Sequence, residues 1–264
     1  MKKFMIGMVA VSATLALTAC SSSDDSVKAG ASTMIQPKNA DSKNNPTAVP
    51  QDKQVATGQH WQLAHTEKSS TIEFHNMTGI APDNLDVLNK LVVDGKTLDL
   101  TNVHEEGLTP LHQAGLGGQV GSTGHSKFGI VGYKDKGIEK DYVFYQGLQT
   151  APNKMPTEGK MSYTGFALHD CEECRERQAV SKFDVDFGAK TVKGEIGGSK
   201  YITGGKVALE ADIKGSAFSG FANGVQTNGA FYGVDASEMS GVYKSANFAG
   251  AFGATKVAEP IKPE

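Results

Sequence analysis

Three sets of side chains in this sequence could do chemistry: a thiol pair, a lone thiol near the N-terminus, and an uneven distribution of imidazoles. Cys171 and Cys174 stand in Cys171-Glu172-Glu173-Cys174, a spacing open to three chemistries. An even pair in an exported domain closes as a local disulfide. The same spacing could supply half of a zinc site, but zinc needs two further ligands and only His169 is close in sequence. A redox dithiol would need a βαβ setting that the flanking residues do not supply. A structural clip ranks first. Of the 7 histidines, His60, His65, His75, His104, His112 and His125 precede residue 150 and only His169 follows, which points to the first half of the folded chain as its ligand-binding part.

The lone thiol is Cys20. Lys2 and Lys3 precede an apolar stretch from Phe4 to Leu17 that is too short to span a bilayer comfortably and has the form of an export signal. Residues 1–19 are therefore expected to be a signal peptide. The stretch ends in Leu17-Thr18-Ala19-Cys20, which has the form of a lipobox, with small residues before a Cys that accepts diacylglycerol and becomes the new N-terminus. Acyl chains contribute about 0.8 kcal/mol per buried CH₂, so several on one thiol anchor a protein without a transmembrane helix. Ser21 follows and not Asp, which by resemblance to the enterobacterial sorting rule implies the outer membrane.

Other chemistries find no support. The formal net charge of −3 and the lack of a basic run argue against a nucleic-acid partner. No nucleophile elbow, zincin helix, phosphate loop or dinucleotide fingerprint occurs, so no catalytic or metal-binding residue is assigned and the chain reads as a non-enzyme. The run Glu172, Glu173, Arg175, Glu176 and Arg177 reads as a solvated loop between strands.

The elements that must position these groups are strands. Residues 20–53, rich in Ser, Asp, Lys, Asn, Pro and Ala, cannot bury enough apolar surface to order themselves and are expected to form a flexible tether. Residues 54–150 read as a β-rich handle domain. Leu91-Val92-Val93 and Thr97-Leu98-Asp99-Leu100 flank Asp94-Gly95, a hairpin whose turn demands positive φ. Lys127–Tyr133 and Asp141–Gln146 form a second pair. The glycines Gly115, Gly117, Gly118, Gly121 and Gly124 between them predict a mobile recognition loop. Pro152 and Pro156 mark a boundary, and residues 151–264 form the second domain. There Phe183-Asp184-Val185-Asp186-Phe187 and the run Val207, Leu209, Ala211, Ile213 alternate as half-buried strands. The Phe/Gly pattern from Phe218 to Gly253 implies curvature. Six to eight short antiparallel strands predict a closed barrel, and the fold class is all-β.

The second domain resembles the C-terminal β-barrel of Slam-dependent surface proteins, related to the transferrin-binding protein B barrel. The likeness rests on Gly159–Gly165 after its proline-flanked lead-in, the Phe183–Gly194 hairpin, Gly215–Gly220 and Phe248–Ala254, and covers roughly Met155 to Lys256. It implies an eight-stranded antiparallel barrel read by a Slam-type outer-membrane translocator. The handle more loosely resembles those of haemophilins and of the host-colonisation lipoproteins of nematode symbionts, the latter also lipidated. The resemblance implies a cell-surface binding module for a host component, or for haem or a haem-carrying protein, with His104 and His125 as first choices for haem contact, since axial ligation needs a neutral imidazole facing an apolar slot. The competing expectation is a structural envelope lipoprotein that faces the periplasm and takes no exogenous ligand.

Overall fold

A computed structural model describes residues 54–66, 69–77, 85–103, 107–113, 115–171, 178–197 and 205–258. They form strands β1 (Val55–Thr66), β2 (Ser69–Met77), β3 (Lys90–Val93), β4 (Lys96–Asp99), β5 (Leu108–Gln113), β6 (Leu116–Ser122), β7 (Ser126–Asp135), β8 (Ile138–Gln149), β9 (Lys160–Cys171), β10 (Gln178–Asp186), β11 (Thr191–Gly197), β12 (Lys206–Lys214), β13 (Ala217–Ala222), β14 (Val225–Tyr232), β15 (Glu238–Lys244) and β16 (Phe248–Lys256). The proline-marked link between β8 and β9 holds a short 3-10 turn at Pro152–Lys154.

Strands β9 to β16 close an antiparallel barrel in which each strand pairs with its sequence neighbour and β16 returns to β9. The alternation in β10 and β12 is observed residue by residue: Val207, Leu209, Ala211 and Ile213 are buried while their neighbours are exposed. Inside, Phe183, Phe218, Phe231, Phe252, Tyr163 and Tyr243 pack together. Paired residues share one face of a sheet, so the register explains the Phe/Gly pattern. Phe183 lies opposite Gly194, Phe218 opposite Gly229, and Phe252 opposite Gly241. A Cβ on any of these glycines would run into the facing ring. The interior is therefore filled by aromatic side chains.

The first half of the chain builds a six-stranded antiparallel sheet in the order β2-β1-β8-β7-β6-β5, which meets the barrel sheet through a single pairing of Gln149 with Tyr232. One face packs on the outer barrel wall: Trp61, Phe128, Ile130, Val143 and Tyr145 cover Leu168, Val242, Ala249 and Ala251. Strands β15 and β16 are consequently buried on both faces, which hides the alternation that marks β10 and β12. On the opposite face lies the β3–β4 hairpin, whose Leu91, Val93, Leu98 and Leu100 pack on Val131, Tyr133, Tyr142 and Phe144. Each such leucine or valine contributes about 1.5–3 kcal/mol when fully buried. The expected Asp94-Gly95 turn is present, with φ of 48° and 71°.

One expectation is overturned. The glycine-rich segment does not form a loop; Leu116–Ser122 is β6, paired on both sides. Glycine is poor strand material in isolation, but here neighbours on either edge satisfy its backbone, and a Cβ at Gly121 would strike the Phe128 ring. Close packing, not freedom, accounts for that residue.

Candidate functional site

The strand directions give the molecule two ends. Val55 opens β1 beside Gln149, and Gln149 meets Tyr232, so the near end holds the start of β1 together with the barrel turns 187–190, 215–216 and 233–237. The far end holds the turns after β7, β13 and β15 together with the described strand ends at Gln113, Cys171, Gln178, Gly197 and Lys206.

At the far end the handle sheet carries a shallow depression of about 480 Å³, lined by Gln113, Leu116, Gly117, Ile130, Lys134, Glu139 and Asp141 among others. Across the strands His112 pairs with Gly117, Gly117 with Gly132, and Gly132 with Asp141. These residues share the face that, two residues nearer the middle, packs Ile130 on the barrel. Gly117 leaves the main chain of β6 open, whereas the Asp141 carboxylate lies over Gly132 of β7. His112, Lys134 and Glu139 are exposed around it.

The other face of the same strand ends is held by the hairpin. Asp94 accepts hydrogen bonds from Tyr142 Oη at 2.7 Å, Lys140 Nζ at 2.8 Å and Tyr133 Oη at 3.1 Å. These donors, Lys140 foremost, hold its carboxyl down at about 2. Lys96 Nζ lies 4.1 Å above the Tyr133 ring, a cation–π contact. Farther along, Lys127 Nζ donates to Leu100 O at 2.5 Å and Gln146 Nε2 to Lys90 O at 2.8 Å. Buried side chains toward the near ends of β7 and β8 thus bind the hairpin's main chain, while the Asp94 contacts hold the hairpin to the far ends of the same strands, beside the depression.

The residues singled out in the sequence do not converge. Cys20, His104 and Cys174 lie outside the described residues. Cys171, the last residue of β9, is disulfide-bonded. His125 sits at the near end, where its Nδ1 is 2.7 Å from Glu238 Oε1 and its backbone N–H donates to Glu238 Oε2 at 2.9 Å. Thr123 Oγ1 donates to the same carboxylate at 2.6 Å, and Ser126 Oγ lies 2.6 Å from Ser240 Oγ. This network joins the β6–β7 turn to the barrel. His169 is buried between Tyr243 and Phe248, with Nδ1 2.9 Å from Tyr243 Oη, and burial lowers its pKa to about 4. His60 meets Tyr142 edge-on. No group of three or more His, Cys, Asp or Glu side chains able to hold a metal occurs among the described residues. Sequence reasoning missed Glu238, which has no local signal because its partners are more than a hundred positions away, and Asp94, which it read only as a turn residue. The glycines of the depression were noticed, but as a loop.

Residues 155–256 match the model of the family described as the C-lobe and N-lobe beta barrels of Tf-binding protein B. The chain is similar to a transferrin-binding protein B of Haemophilus influenzae, 31% identical over 139 residues, which are 40% of this chain and 22% of that protein. It is also similar to an uncharacterized protein of the same organism, 33% identical over 145 residues, 50% of this chain and 48% of the other. Among solved structures, a mutant transferrin-binding protein B of Haemophilus parasuis shares the fold, with a TM-score of 0.56 and 22% identity over 78% of this chain and 46% of that one. Intact Ap-TbpB, with its N and C lobes, gives 0.53 and 24% over 76% and 46%. The chain spans less than half the length of each of these relatives.

Proposed function

We propose that this chain is a non-enzymatic binding lipoprotein, held at the outer membrane by acylated Cys20 and displayed at the cell surface, where its far end meets a host protein. One observation carries the reading: the segment bearing Cys20 joins the folded part at Val55, at the near end, whereas the bare depression lies at the opposite end. Attachment at the near end leaves the far end, with its depression, away from the point where the chain leads back to Cys20. The barrel interior is packed with aromatic rings, so a ligand must bind an outer surface. Two of the similar proteins carry transferrin-binding names, which supports a host protein as the ligand class and transferrin as the first probe. The barrel at 155–256 is the part that a Slam-type translocator would engage.

Haem is a weaker ligand class here, because His125 already gives Nδ1 to a buried carboxylate and faces no apolar slot among the described contacts. Protease treatment of intact cells tests the display. Digestion of wild-type protein, lost together with labelled palmitate uptake in Cys20→Ser, supports it; survival until the outer membrane is breached establishes the inward-facing structural alternative. Titration with haemin separates the ligand classes, a Soret shift that disappears in His125→Ala being the result that would restore haem.

A further inference from the structure

The pair Asn-Gly occurs twice in the sequence, at Asn223-Gly224 and Asn228-Gly229, and the fold gives the two copies opposite surroundings. Asn223 and Gly224 are the central residues of the β13–β14 hairpin, which the Ala222–Val225 pair closes. Both have positive φ, 53° and 76°, as a two-residue primed turn requires. Both are exposed, and a Cβ on Gly224 would meet nothing within 4 Å. Toward this tip β13 pairs with β14, whereas its pairing with β12 covers only Ala217–Ser219. A hairpin tip held on one side opens at low free-energy cost.

Asn228 and Gly229 lie inside β14. Asn228 is paired with Ser219 on one side and Val242 on the other, and its Nδ2 donates to Gln59 Oε1 at 3.1 Å. A Cβ on Gly229 would strike the Phe218 ring and Ser240 O. This stretch of main chain cannot rotate without opening the barrel wall.

We infer that Asn223 is a site of spontaneous covalent modification in the folded protein, deamidation through a cyclic imide, and that Asn228 is spared. The Gly224 main-chain nitrogen gives its proton to solvent base and attacks Asn223 Cγ with its electron pair. The Cγ–Nδ2 bond breaks, and Nδ2 leaves as ammonia after taking a proton from water. Water then opens the five-membered ring at either carbonyl and leaves an aspartyl or an isoaspartyl residue at position 223. Nothing is oxidised or reduced, and water is the only co-reactant. The tip permits the attack because glycine has no side chain to shield its nitrogen and the space around Gly224 leaves room for the peptide to rotate. The product bears on the far end, where this turn lies. A carboxylate arises two positions from Phe221, which is 75% exposed. The isoaspartyl form also lengthens the main chain within a turn whose two-residue length sets the register of β13 on β14. The far end therefore gains negative charge as the molecule ages, whatever it binds.

The test incubates the purified full-length chain at mildly alkaline pH, folded and in parallel in unfolding urea, until the urea sample has converted at both positions. Peptide mapping by mass spectrometry reads the amide-to-acid change at each Asn, and chromatography separates the two product forms. Expected is loss of the Asn223 amide in the folded protein, with both products present, while Asn228 keeps its amide. Retention of the Asn223 amide in the folded sample overturns the assignment, because the tip would then be too rigid to react. Equal loss at Asn223 and Asn228 in the folded sample overturns it too, because the fold would then make no selection between them.

Discussion

Replacing Asp94 by Asn isolates the charge of the carboxylate that clamps the hairpin. Asn tolerates the positive φ of 48° at this position, so the turn survives and the charge alone is lost. The carboxyl is held at about 2, against a usual 3.8, and a shift of that size corresponds to about 2 kcal/mol of linked stability. The side chain is 32% exposed and its Lys140 partner 26%, so solvent screening reduces the expectation to about 1–2 kcal/mol. The sign is fixed by the direction of the shift. A carboxyl with a depressed folded-state pKa stabilises the fold fully above its unfolded value, and that stabilisation disappears as pH falls from about 4 through about 2. Urea denaturation at pH 7 should therefore show Asp94→Asn weaker by about 1–2 kcal/mol, and the difference should close as pH is lowered towards 2. Amide exchange at Leu98 and Leu100 should quicken in the variant at neutral pH, because the hairpin undocks before the barrel opens. A stability gap that stays constant from pH 7 to 2, or no gap at all, would refute the reasoning.

His169 gives the complementary case. Its folded pKa of about 4 lies below the usual 6.5 because burial disfavours the imidazolium, so the stabilisation is complete above 6.5 and is lost as pH falls from there to about 4, by about 3 kcal/mol at most. His169→Gln should flatten the stability profile across that window, and an unchanged slope would place the titration elsewhere. Gly241→Val should destabilise by roughly 1–3 kcal/mol, since a Cβ would meet Asn228 O at 2.5 Å and the Phe252 ring at 2.6 Å; a melting temperature at or above wild type would remove the ring-over-glycine account of the barrel.

Legibility from sequence followed the range of the forces involved. The Asp94-Gly95 hairpin was readable because two adjacent residues set the turn by their own φ preferences. Strands β10 and β12 were readable because one face of each meets water, so apolar and polar residues alternate. Strands β15 and β16 show no such alternation, because the handle sheet covers the face that would otherwise be polar. The glycine run was misread for a related reason: glycine's backbone freedom is visible in the sequence, whereas the Phe128 ring that occupies its space is placed by pairing between strands.

The candidate site lay almost wholly beyond sequence reasoning. His125 was visible as an imidazole near an aromatic strand, but its fate depends on Glu238, brought to it by the packing of the handle on the barrel. The open space beside Gly117 became visible only with the strands in place, since an empty space is a property of coordinates. By itself the sequence determined the all-β class, the closed barrel and its turns, because these follow from local dihedral preference and from alternation against solvent. Only the tertiary structure decided which face is bare, which carboxylates are engaged and where the two ends point, because those follow from contacts between residues far apart in the chain, and no local pattern encodes them.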